Sequence, residues 1–112
     1  MIPFEATDWE KIPVIEHTGE TGMVTSQTIS YELLRVRLVR YSPNYKADHW
    51  CAKGHITYCV EGEFTLHLKN GASYKLKQGM SYQVTDDENN PHYSTSDKGC
   101  TLFIVDGDFL KT

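Results

Sequence analysis

The chain has 112 residues, 39% hydrophobic and 23% charged, with a formal net charge of −4. That is one domain's length, with room for a single core burying about 65% of the unfolded surface, and a composition that excludes disordered and fibrous classes. The charge is spread without a basic run or an arginine-aromatic stripe, which argues against nucleic acid and against an anionic membrane surface as partners. No apolar stretch approaches the roughly 18 residues of a spanning helix, and the opening MIPFEATDWEK lacks a basic region followed by an apolar one, so a cytoplasmic location is expected.

Taken in chain order, a short helix is predicted near Asp8 to Lys11, followed by the turn signal TGETG at 18–22, with His17 in a polar loop. Strand-length runs rich in β-branched and aromatic residues then alternate with turn signals: 33–41, 55–60, 64–69, 73–77, 81–85, 92–96 and 100–106. The punctuation is SPN (42–44), EGE (61–63), Asn70-Gly71, QG (78–79), DDENNP (86–91) and DKG (97–99). Asn70-Gly71 is the sharpest hairpin signal, because both residues tolerate the positive φ of a type I′ turn, and it pairs 64–69 with 73–77 antiparallel. The pattern is all-β, a sandwich or barrel in one domain, with 31–106 as its body and 1–30 as an extension and outer strands.

Chemistry-bearing residues crowd into DHWCAKGH, 48–55. In an extended strand His49 and Cys51 project to one face while Trp50 points away, and after the bend at 52–54 His55 opens the next strand. His92, after the acidic loop, is a fourth candidate that folding would have to bring in. Imidazole and thiolate suit zinc first, then iron, with nickel or copper compatible; magnesium and calcium would want oxygen ligands that are missing. The odd number of cysteines, three, favours free thiols or metal ligation over a disulfide framework. Cys59 and Cys100 lie in apolar strands and read as core. Asp48 is a possible acceptor for a ligand's free N–H. Arg35, Arg37 and Arg40 interleave with apolar residues; one turned inward would meet a substrate carboxylate, whereas on the rim they are ordinary surface arginines. Tyr58 and Tyr82 are further pocket candidates.

HWCAKGHITYCVEGE resembles the first motif of the cupin superfamily, H-x-H-x3-4-E leading into a strand and a Glu-Gly turn. Cys51 stands where the second histidine is usual and His55 where the glutamate is usual. QGMSYQVTDDENNPH resembles the second motif, with His92 as its histidine. The set Asp48-His49-Trp50-Cys51 with KGH, together with IPF, DW and DGDFL near the ends, is similar to small cupins marked by a D/H/C/W motif. The resemblance implies a double-stranded β-helix, an antiparallel jelly-roll barrel, with one divalent metal held by His49, Cys51, His55 and His92. Exchanging a histidine for a thiolate and a glutamate for a histidine leaves the charge of the ligand set unchanged, while the sulfur moves its preference away from manganese.

Two functional classes remain open from the sequence. One is a metal-dependent enzyme of oxygenase, isomerase or lyase type acting on a small polar molecule. The other is a non-catalytic metabolite-binding or sensing protein with a closed, structural metal site. Strand alternation in HITYCV turns Ile56, Tyr58 and Val60 outward, opposite His55, Thr57 and Cys59. Their cover is expected from a second copy in a homodimer or from the chain's own apolar N-terminal segment.

Overall fold

The computed structural model describes residues 2–111. Its nine strands are β1 (Ile15–Thr18), β2 (Met23–Ser30), β3 (Leu34–Tyr41), β4 (Tyr45–Lys46), β5 (His55–Leu68), β6 (Ser73–Lys77), β7 (Ser81–Val84), β8 (His92–Ser96) and β9 (Cys100–Gly107). Short 3-10 turns at Trp9–Lys11 and Asp108–Leu110 flank them, the first capped by the Asp8 carboxylate accepting from Glu10 N. No helix among the described residues is long and apolar enough to cross a membrane.

All pairings are antiparallel, and β5 is the hinge of the architecture. Its first half pairs with β9 and β7 in a sheet that continues through β3 and β2 to β1; its second half pairs with β6 and β8 in a sheet edged by β4. EGE, expected as a turn, is instead where this long strand bends between the sheets, with a bulge between Cys59 and Glu61 and Gly62 at φ 80°. A Cβ on Gly62 would lie 2.5 Å from the Gly99 carbonyl oxygen, so only glycine lets the two strands approach here.

The hairpin at Asn70-Gly71 forms with a different turn from the one expected. Gly71 N donates to the Leu68 carbonyl at 3.0 Å and Gly71 alone takes positive φ, at 97°. Asn70 keeps negative φ because its side-chain oxygen accepts from Ala72 N at 3.0 Å. The outer strands expected within 1–30, for which the sequence set no bounds, are β1 and β2: exposed or half-exposed and without strict alternation, they are specified by pairing, β1 with β2 and β2 with β3, Ser26 opposite Val39 and Thr28 opposite Arg37.

Alternation along β5 and β9 builds the core. Cys59, Phe64, Leu66, Cys100, Leu102 and Ile104 meet Val39 and Leu76 between the sheets. Burial raises the Cys59 thiol and pushes Cys100 up to about 12, as befits protonated core residues. Outside, the N-terminal segment covers part of the first sheet. Gln27 donates to the carbonyls of Trp9 and Ile12 and accepts from Arg40, and Trp9 sets its ring edge-to-face on Phe103 of β9 at 6.4 Å. This cover stops at β9. On β5, Ile56, Tyr58 and Val60 remain 41%, 48% and 42% exposed.

Candidate metal centre

β5 enters the barrel at its buried end, His55, and β8 begins with His92, also buried. The third donor, Cys51, lies before β5 in a segment tied to β8 by one bridge: Cys51 N donates to the His92 carbonyl at 2.7 Å and His92 N to the Cys51 carbonyl at 2.9 Å. One ligand atom from each of Cys51, His55 and His92 lies within 4.8 Å of the others, a group that could hold a metal ion. Cys51 Sγ stands 3.7 Å from His55 Nε2, and the two imidazoles meet edge-to-face at 5.3 Å.

His49 is not brought to this group. The expectation that it would project beside Cys51 assumed a strand, but residues 48–49 form a bend, so the two-residue alternation does not apply. Its side chain is 74% exposed and its Nδ1 pairs with Asp48 at 2.6 Å, although it lines the cavity onto which the donors open. Asp48 therefore does accept a histidine N–H, but that of His49 on the rim.

The partner that orients a donor is Asp106, which the sequence reading did not single out as a site residue. Its Oδ2 lies 2.8 Å from His55 Nδ1, which assigns the proton to Nδ1 and leaves Nε2 facing Cys51 as the free donor. Arg35 Nε and Arg37 Nη2 reach the same carboxylate at 2.5 and 2.6 Å. A signal was available: Cys100, Leu102, Ile104 and Asp106 share one parity of β9, which puts a charged residue on the buried face.

The electrostatics follow from this packing. Burial acts to raise the Asp106 carboxyl, but the hydrogen bonds from His55 and Arg35 and the charges of both arginines outweigh it and hold it well below the carboxylate range. Burial likewise opposes the Cys51 thiolate, yet the hydrogen bonds from His55 and His92 bring the thiol down to about 5. His55 moves the other way: burial disfavours its charge, but Asp106 and Cys51 prevail and raise it. Without metal, Cys51 favours its thiolate and His55 its protonated form, and a metal ion must displace the His55 proton where it is bound. Metal affinity is therefore expected to rise with pH up to the raised His55 value and to collapse as Cys51 is protonated near 5. Titration of zinc affinity by competition with a chromophoric chelator between pH 5 and 8.5 checks this; a flat profile would contradict the ligand assignment.

The donors open onto a cavity of about 570 Å³ between β1–β3 and the 45–55 segment, lined also by Arg35, Arg37 and Tyr82. Tyr58 is not among these residues. Its parity on β5 is that of Ile56 and Val60, so it lies on the outer face and not in this cavity, where it was expected. Tyr82 sits opposite Thr57, and burial pushes its phenol up to about 12. Thr57 is fully buried and its Oγ1 has no hydrogen-bond partner among the described residues. His17 is part of β1 rather than a loop and also lines the cavity; His67 is held by Thr95 and Ser73 and stacks on Tyr93, away from the centre.

No protein-family model matches the chain, and no curated protein does. Solved structures do. The polyketide cyclase RemF of Streptomyces resistomycificus superposes with a TM-score of 0.77 at 16% identity, over 95% of this chain and 80% of that one. An RmlC-like cupin of Shewanella frigidimarina gives 0.71 at 18%, over 95% and 92%. The chain has the cupin fold. A third match is Fe(II)-HppE with an alternative substrate, with a TM-score of 0.71 at 17% identity over 92% of this chain and 60% of that one. At these identities the likeness concerns the fold alone. Within this fold the candidate donors come from the start of β5, the start of β8 and the loop between β4 and β5, the segments read from the sequence as the two cupin motifs.

Proposed function

We propose that this cupin binds one divalent transition ion through Cys51, His55 and His92 and acts as a metal-dependent enzyme on a small polar molecule. The observation that carries the reading is a three-donor group facing a cavity, with the fourth residue of the expected set, His49, paired to Asp48 outside it. Three protein ligands with an open side are the arrangement of catalytic rather than closed structural sites. The donor set fits zinc first and iron next, and Asp106 supplies the support that ligating histidines require. When bound, the ion would supply Lewis acidity toward a substrate oxygen or water. His49, oriented by Asp48 and lining the same cavity, is then the proton-handling group that the motif otherwise lacks.

Elemental analysis of untagged protein tests the metal, and cobalt substitution tests the open side. Added azide should change the visible spectrum of the cobalt protein. An unresponsive tetrahedral spectrum would favour the structural-site alternative, and protein that takes up no zinc, iron, nickel or copper at micromolar concentration would end both.

The same reading includes a homodimer. Ile56, Tyr58 and Val60 form an apolar stripe that the N-terminal segment leaves uncovered. Light scattering at micromolar protein is expected to give about twice the chain's 12.8 kDa, and Tyr58→Asp to return it to the monomer. A wild-type mass of one chain would reject the dimer.

A further inference from the structure

The cavity wall beside the donor group carries more positive charge than the site needs to hold itself together. Arg35 and Arg37 lie on one parity of β3 with Val39 and Tyr41, and both line the cavity. Asp106 neutralises only one of the two guanidinium ions, and half of its work goes to His55, whose Nδ1 shares Oδ2 with Arg37. Each arginine spends a single nitrogen on the carboxylate, Nε for Arg35 and Nη2 for Arg37. The remaining terminal nitrogens have no hydrogen-bond partner among the described residues and are not sealed from solvent, whereas Arg37 Nε is buried.

Among the described residues, no aspartate or glutamate lines the cavity. With a divalent ion on Cys51, His55 and His92, four positive charges from the ion and the two arginines face only two negative ones, from Cys51 and Asp106. A low-dielectric pocket with that imbalance selects an anion, and a planar guanidinium fork suits a carboxylate. Further along the same wall, Val24, Val39, Tyr41 and Ile104 offer apolar surface to the rest of the molecule.

From this we infer that the ligand of the site is a small organic acid, its carboxylate held by Arg35 and Arg37 and its short body lying against the apolar wall beside the metal-ligand group. The inference rests on the metal reading only for part of the charge excess; the arginines and their free donors are independent of it.

The test is titration of the zinc-loaded full chain with lactate, malonate, lactamide and inorganic phosphate, followed by calorimetry and by the NMR signals of the arginine side chains. Lactate or malonate should bind with dissociation constants below about 10 mM, and neutral lactamide at least about tenfold more weakly. Arg35→Gln, which removes the more exposed arginine, should weaken acid binding about tenfold while zinc content stays stoichiometric. Arg37→Lys should keep part of the affinity that Arg37→Gln loses. Lactamide binding as tightly as lactate, phosphate binding more tightly than both acids, or no acid binding to protein that holds its zinc would each overturn the inference. If the protein holds no zinc, the metal reading fails separately, and the same titrations on the metal-free chain decide the organic acid by their dependence on the arginines.

Discussion

Cys51→Ala is expected to lower zinc affinity by at least about 100-fold, because deleting a donor costs more than deleting the partner that orients one, itself worth about 10- to 100-fold. His49→Ala is the informative contrast. With its side chain turned to solvent and paired to Asp48, it should leave the affinity within about threefold of wild type, whereas a fourth ligand would fall with Cys51. The fold should survive both changes, since Cys51 is only half-buried and its backbone bridge to His92 does not depend on the sulfur. Competition titration with the fold monitored by circular dichroism separates the outcomes; equal losses in the two variants would restore His49 to the ligand set.

Asp106→Asn should have the largest effect on stability together with an effect on the metal. The carboxylate side chain is 5% exposed and joins β9 to Arg35 and Arg37 of β3 and to His55 of β5. Replacing it leaves Arg37, in a mostly buried position, without its counter-ion, a change of about 3 kcal/mol when one partner of a buried pair is removed. Arg35, half in water, adds little. The amide would also cease to fix the His55 proton as a charged acceptor does, so zinc affinity should drop about 10- to 100-fold.

The pH dependence gives an independent reading of Asp106. A carboxyl held below its unfolded value of about 3.9 contributes stability that is complete above that value and is lost as pH falls through the folded one. Because Asp106 also raises His55, the wild-type advantage over Asp106→Asn should be full between about pH 6 and about 4 and shrink below that as the carboxyl is protonated. Urea denaturation of the metal-free proteins at pH 7, 5 and 3 measures this, and an advantage unchanged at pH 3 would show that the charge of Asp106 is not what holds the three cations.

By itself the sequence determined the strands whose residues alternate, because alternation is set by the burial of one sheet face and is printed locally. HITYCV gave both the inward line His55, Thr57, Cys59 and the outward one Ile56, Tyr58, Val60. It also carried the cupin resemblance and three of the donors now found together, Cys51, His55 and His92. What it could not carry were properties that belong to pairs of distant segments. Whether EGE turned or bulged depended on β9 running alongside β5, and whether Asn70 took positive φ depended on a competing hydrogen bond to Ala72. His49 left the donor group because the chain bends at 48–49, where no ladder enforces a strand. Asp106 became the centre of the charge network because β9 lies between β3 and β5, which sets its carboxylate against two arginines and a histidine from 51 to 71 residues away. A buried carboxylate is tolerable only where such partners converge, and convergence across strands is a tertiary fact.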